Sequence, residues 1–418
     1  MNAPAAAWLR TLHLPRPSLS DNTADVDRLS ACLQKELGTP AVAIDLGLQR
    51  ELPGLLRQHG FKVRCSLFRD RGRWVVTGID PDDHPAPALG LAVDLGTTRV
   101  ALRIVDLADG RALAESACDN PQIALGPDVL ARIHYAERPD GLNQLTTLIR
   151  DGLNSAAAAA CRAAGAAPSA IRTVAVAGNT AMTHLFLGLD PRWLIREPYI
   201  PAVNRPGVLR AADLGLTVGP YARVLVFPNI GSYFGGDLIA GILFAGLHRR
   251  EETAVLVDVG TNAEVVLGNR DWLIGCAGAA GPALEGGVSR MGMLAAPGVV
   301  DRVRIDPAAL RFELHTIEEK PPRGICGSGV IDLAAELFRT GMIDRRGKIV
   351  PARCGPHLAL VDGIPHIRVV PADWSATGRE LTIGQPDLDS LVRSKAAMYT
   401  ILETLALTVG VELKEVTT

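Results

Sequence analysis

The chain has 418 residues, a formal net charge of −2, 48% hydrophobic and 21% charged residues. That is too long for one ordinary domain and suits two or three, and the near balance of charge excludes attraction of the whole molecule to nucleic acid or to an anionic membrane. The longest uncharged apolar stretch, around Leu238 to Leu247, is about half of the ~20 residues a membrane span needs. Arg10 and His13 interrupt the place where a signal peptide needs its apolar core, so a cytoplasmic protein is expected.

Abundant Ala and Gly with 4% aromatic residues favour α/β packing over a β-sandwich. The seven cysteines stand at 32, 65, 118, 161, 276, 326 and 354, and no two of them have the close spacing of a zinc or iron–sulfur site. They read as reduced, mostly buried thiols. The nine histidines show no ligand spacing either.

Residues 1 to about 88 read as a linker with a small α+β domain. An extended Pro-containing stretch comes first, then a helix capped by Ser20 or Asp21 and running to about Glu36. A strand at AVAIDL, a short helix at LQRELPGLLRQHG and strands at KVRCSLF and RWVVTGID follow. PDDHPAPALG, with its prolines, is the natural boundary.

From Leu89 the pattern changes to a β-meander, LGLAVDLGTTRVALRIVDLADGRALA. The same plan returns at TAVLVDVGTNAEVVLGNRDWLIG, and repetition at this distance suggests a duplicated domain. The expected lobes are 89–250 and 251–418. Ala-rich helical segments, the buried strand IRTVAVAGN and a helix at TAMTHLFLGL lie between the repeats. A Gly-rich segment, PNIGSYFGGDLIAGILFAGLH, leads into the helix that closes the first lobe. In the second lobe, GICGSGVIDLAAELF reads as a Gly-rich turn opening a helix, and KAAMYTILETLALTVGVELKEVTT as a long helix with a tail.

Each D-x-G-T turn places an Asp at the end of a buried strand and a Gly where the chain reverses, so that backbone N–H groups can approach an oxyanion. Gly96, Thr97 and Thr98 in the first turn, and Gly260, Thr261 and Asn262 in the second, are the candidate phosphate holders. A carboxylate repels phosphate, so Asp94 and Asp258 are candidates to hold a hydrated Mg²⁺. Two such turns facing each other would grip the phosphates of ATP, with chemistry supplied by positioning and charge neutralisation. Gly324, Gly327, Ser328 and Gly329 open a helix with a side-chain-poor surface that suits adenosine or its phosphates; tight helix packing is the competing reading. Asn179 is a candidate for bridging the lobes, or a turn or cap residue. Asp237 faces the cleft or starts a helix, and Glu285 is a polar ligand or a surface residue. Neither a G-x-x-x-x-G-K-[ST] loop nor a Rossmann G-x-G-x-x-G follows the first strand.

The order VDLGTT, VAVAGNT, VDVGTN, GICGSG resembles the superfamily of actin, sugar kinases and heat-shock chaperone ATPases, a two-lobed ribonuclease H-like α/β fold. More closely, the chain resembles the reductive activators of corrinoid proteins. LPRPSL with the helix after it, NPQIALGPDVLARIHYA at 120–136, AGPALEGG at 280–287, GICGSGVID at 324–332 and QPDLDSLVRSKAAMY at 385–399 carry that resemblance. It implies ATP-dependent, one-electron reduction of a Co(II) corrinoid to Co(I) for a methyltransferase system. It also implies an N-terminal [2Fe–2S] domain and a Gly-Gly-containing segment after the last helix. No C-x₄₋₅-C-x₂-C motif is present, so the expected electron source is a separate or upstream ferredoxin-type donor, and the chain is expected to lack its C-terminal end. The expected partner is a corrinoid protein, and a homodimer remains open. The alternatives are a small-molecule kinase on the same fold, or a non-enzymatic nucleotide-binding regulator that docks on a corrinoid protein.

Overall fold

The computed structural model describes residues 8–83, 86–259, 263–278 and 289–416, and these pack as two units, 1–241 and 242–418.

The first unit begins with a strand that sequence reading missed. β1 (Leu9–His13) pairs antiparallel with β3 (Lys62–Asp70), which pairs antiparallel with β4 (Arg73–Pro81); β2 (Val42–Ile44) lies parallel to β4. Helices α1 (Asp25–Leu37) and α2 (Leu46–Gln58) cover this sheet through Leu29, Leu33, Leu48, Leu52 and Leu56, the four-residue spacing of one helical face. Neither Ser20 nor Asp21 caps α1, whose N-cap is Ala24. The Asp21 carboxylate instead accepts from Thr23 and from the buried Arg28 guanidinium, which draws its pKa well below the usual range.

The second sheet of this unit has six strands in the order β7-β6-β5-β8-β10-β9. β5 (Leu89–Leu95), β6 (Arg99–Asp106) and β7 (Ala112–Asp119) form the antiparallel meander. β8 (Ile171–Gly178) and β10 (Arg223–Val226) add in parallel, and β9 (Gly207–Arg210) closes the edge antiparallel. Alternation fixes the register: Leu89, Leu91, Val93 and Leu95, with Val100, Leu102 and Ile104, point to one core. Against that face pack α4 (Gly141–Ala163), with its run of small residues at Ala156, Ala157 and Ala160, and α5 (Thr180–Leu187). The shorter α3 (Val129–Ala136) precedes them, and α6 (Gly236–Ala245) runs past Gly241, where the unit ends.

The second unit opens with a second antiparallel meander, β11 (Ala254–Val259), β12 (Ala263–Gly268) and β13 (Leu273–Gly278). In β14 (Val299–Ile305), β15 (Phe312–Thr316) and the parallel β16 (Gly324–Ile325), the outer strands flank β14. α7 (Gly327–Arg339) packs on β14 through Val330, Leu333 and Leu337. A short helix α8 (Pro351–Cys354) leads to the meander β17 (Leu358–Val361), β18 (Ile364–Val370), β19 (Leu381–Gly384). The last helix, α9 (Gln385–Val409), starts ten residues before the expected KAAMY. Its first half joins the core around β18 and β19 through Leu388, and its second half covers β12 and β13 through Leu405 and Ala406.

Candidate nucleotide-binding site

The first D-x-G-T turn joins β5 to β6. Asp94 is the penultimate residue of β5 and, with Ala92, points away from the core; it borders a concavity of about 600 Å³ lined also by Ala101, Ala175, Ala177 and Phe227. A Cβ on Gly96 would collide with the carbonyl oxygen of Arg99, so the turn admits no side chain there.

The acceptors of the turn are drawn inward. Asn120 Nδ2 donates to Gly96 O at 2.8 Å, its backbone N–H to Thr98 O at 2.8 Å, and Arg132 Nη2 to Thr97 O at 2.7 Å. Asn179 Nδ2 donates to Thr97 Oγ1 at 2.9 Å while its Oδ1 caps α5 by accepting from Met182 N. Among the described residues, the Thr97 and Thr98 N–H groups have no acceptor. With carbonyls inward, the turn offers donors outward, the polarity that an oxyanion requires.

Two of these holders come from the segment 120–136, to which sequence reading gave no roles. Asn120 is buried, begins a short 3-10 turn at Pro121–Ala124 and fixes it by accepting from Gln122 N. Arg132, on α3, is fully buried. Besides Thr97 O, it donates to Gly126 O at 2.9 Å, Gln122 Oε1 at 3.3 Å and Met182 Sδ at 3.1 Å. Burial lowers its pKa to about 10, and the charge of Asp128 opposes that shift. No sequence signal marks either one, because Gln122, Asp128 and His134 stand in the same segment and are equally polar.

The second turn follows β11. Asp258 is again the penultimate residue of its strand and is exposed; Glu264 stands directly opposite it on β12. Glu264 was not singled out from sequence. Gly260, Thr261 and Asn262 lie outside the described residues, as does AGPALEGG with Glu285.

At the Gly-rich turn the four candidates separate. Gly324 is buried against Met291 and Met293, and Gly329 against the Val300 carbonyl, where a Cβ would collide. Both are set by packing, Gly324 within β16 and Gly329 within α7. Gly327 and Ser328 open α7, Ser328 is exposed, and its Oγ lies 3.2 Å from Cys326 Sγ. Asn179 acts as a helix cap that also holds the first turn, and Asp237 lies in the first turn of α6.

At the first turn, bonded carbonyls and the Asp94 carboxylate are groups of the kind that suit a hydrated magnesium phosphate. The described cysteines do not fit a [2Fe–2S] cluster: no three His, Cys, Asp or Glu side chains among the described residues are grouped to hold a metal ion. Cys65, Cys161, Cys326 and Cys354 are buried thiols, and burial pushes Cys65 up to about 12. No helix among the described residues is long and apolar enough to cross a membrane.

The meander feeding parallel strands, with the phosphate-type turn after its first strand and a second such turn in the other unit, defines the actin-like ATPase class. Three regional models of one family match nearly the whole chain: the RACo linker region over 2–86, the RACo middle region over 89–250, and the C-terminal domain of RACo, the ASKHA domain, over 252–418. The chain belongs to the RACo family of corrinoid reductive activators. It is similar to the corrinoid activation enzyme RamQ of Eubacterium limosum, 30% identical over 392 residues, which cover 90% of this chain and 63% of RamQ. A solved reductive activator for corrinoid, iron–sulfur protein superposes with a TM-score of 0.86 at 36% identity, covering 98% of this chain and 65% of that one. The [Co(II) methylated amine-specific corrinoid protein] reductase of Methanosarcina barkeri is 29% identical over 181 residues, 38% of this chain and 32% of the reductase. The chain thus spans less than two thirds of the length of these relatives.

Proposed function

We propose that this chain is the ATP-binding body of a cytoplasmic enzyme that reductively activates a corrinoid protein of a methyltransferase system. The observation that carries the reading is the polarity of the first turn: the Gly96, Thr97 and Thr98 carbonyls are held by Asn120 and Arg132, while the Thr97 and Thr98 N–H groups have no described acceptor. That turn binds the phosphates of ATP; Gly260, Thr261 and Asn262 do the same from their sequence position. Asp94 and Asp258 hold the waters of Mg²⁺, with Glu264 adding charge at the second turn. Gly327 and Ser328 contact the nucleoside. One electron passes from a reduced ferredoxin-type donor to Co(II), giving Co(I), and ATP hydrolysis drives the step.

Titration of the chain with Mg-ATP tests the binding half. Asp94→Asn and Asp258→Asn should each weaken Mg-ATP binding by about tenfold or more, the scale of one charge-assisted interaction. Unchanged affinity in both would overturn the assignment. The corrinoid half is tested by following the cobalt spectrum of a Co(II) corrinoid protein mixed with the chain, a reduced ferredoxin and ATP. Co(I) should accumulate with ATP and not with ADP, whereas phosphorylation of a small molecule would favour the kinase alternative.

A further inference from the structure

A fully buried arginine is costly to leave without a counter-charge. Arg132 has no carboxylate in ion-pair contact among the described residues; its hydrogen-bond partners there are two backbone carbonyls, an amide oxygen and a thioether. Asp128, the acid that bears on it electrostatically, is spent on capping α3 through Ala131 N. Every one of those partners is neutral, so the guanidinium charge is solvated by dipoles and not cancelled. One of the dipoles is the Thr97 carbonyl, in the middle of the phosphate-type turn. A cation bonded to that carbonyl polarises the peptide so that its N–H side becomes the better donor.

We propose that Arg132 is the positioning residue of the first phosphate turn, holding the Thr97 peptide inward and leaving a net positive charge beneath it that selects polyphosphate anions. The inference rests on the nucleotide reading given above and adds the source of its anion selectivity. Arg132 does not touch the ligand: it lies on the core side of the turn, bonded to Thr97 O, and the ligand is met by the opposite side of the same backbone. Its counter-charge is supplied by the phosphate when it binds.

The test separates charge from packing. Gln122→Glu places a carboxylate beside Arg132 Nη1, where Gln122 Oε1 now accepts at 3.3 Å; it neutralises the charge with the guanidinium in place and gives up the bond from Gln122 Nε2 to Leu145 O, a packing cost that the fold check reads. Arg132→Lys keeps a charge but cannot bond Gly126 O and Thr97 O together. Each variant of the 418-residue chain is titrated with Mg-ATP, magnesium tripolyphosphate and adenosine, and its fold is checked by near-UV circular dichroism. The expected result is a loss of about tenfold or more in affinity for ATP and tripolyphosphate in both variants, with adenosine affinity within about twofold of the wild type. If the wild type binds ATP and both folded variants bind it equally well, the Arg132 proposal falls and the nucleotide reading stands. An equal loss for adenosine makes Arg132 a fold residue and overturns the proposal, as does failure of both variants to fold. If the wild type binds none of the three probes, the nucleotide reading itself fails.

Discussion

His184, fully buried on α5, is bonded through both ring nitrogens: Nδ1 donates to Thr180 O at 2.7 Å, and Nε2 accepts from Ala202 N at 3.0 Å. The acceptor role of Nε2 requires a neutral ring, and burial lowers the pKa, more than the Thr180 bond and Asp190 raise it. An unfolded histidine takes up its proton near its ordinary value, about 6.5. The stability His184 contributes is therefore present above that pH and is lost as pH falls toward the depressed folded value. His366 is depressed in the same direction, mainly by burial. The thermal midpoint should fall between about pH 7 and 5.5, and His184→Gln should flatten that slope while lowering the midpoint at pH 7. An unchanged slope in the variant would remove His184 as its source. Gly96→Ala should weaken Mg-ATP binding by about tenfold at little cost in global stability, because the collision with Arg99 O is confined to the turn. Calorimetric titration with a parallel melt checks both parts.

At the scale of elements, the small N-terminal sheet is fastened to the six-stranded sheet by ion pairs that join distant strands. Asp45, just before α2, accepts from Arg223 of β10 through both oxygens at 2.7 Å, and Asp80 of β4 accepts from Arg172 of β8 at 2.8 Å. Gly47 leaves room for Tyr221, whose hydroxyl donates to Glu51 at 2.6 Å. Arg223→Ala strands a partly buried carboxylate and should destabilise by roughly 2–4 kcal/mol, measurable by urea unfolding. Double mutation with Asp45→Asn should recover part of that loss. Gly47→Val must displace the Tyr221 ring and should speed proteolysis between residues 82 and 88. Much of this layer was legible in the sequence. The alternation in LGLAVDL and RVALRIVD marks both strands and the turn between them, because burial of one sheet face writes a period of two into the chain. Strand β1 was not legible: Leu9–His13 has little pattern of its own and is a strand because β3, some fifty residues away, offers an edge. The helix start at Asp25 was displaced because Arg28 claims Asp21. The same holds for the site. Asp94 and Asp258 stand at matched strand positions, as their repeated motif announces, whereas Asn120 and Arg132 reach the turn through folds of the chain that no spacing encodes.

For the molecule as a whole, each unit carries its own apolar core, one around β5, β8 and α4, the other around β14, β18 and α7. Scanning calorimetry should resolve more than one transition, and a single two-state transition would count against independent units. Mg-ATP at one hundred times its Kd should add about 2.7 kcal/mol to whatever part binds it, so the transition that moves identifies the binding unit. Strand β8 gives the first unit a mechanical property. It begins beside Arg172, which grips the small sheet through Asp80, and runs directly into Asn179, which grips the Thr97 hydroxyl. Tension applied at the N-terminal strand therefore has a short load path, one extended strand long, to the residues that would hold phosphate. In an optical trap pulling between Leu9 and Ile171, the rupture force of the Asp80–Arg172 attachment would then rise when nucleotide is bound.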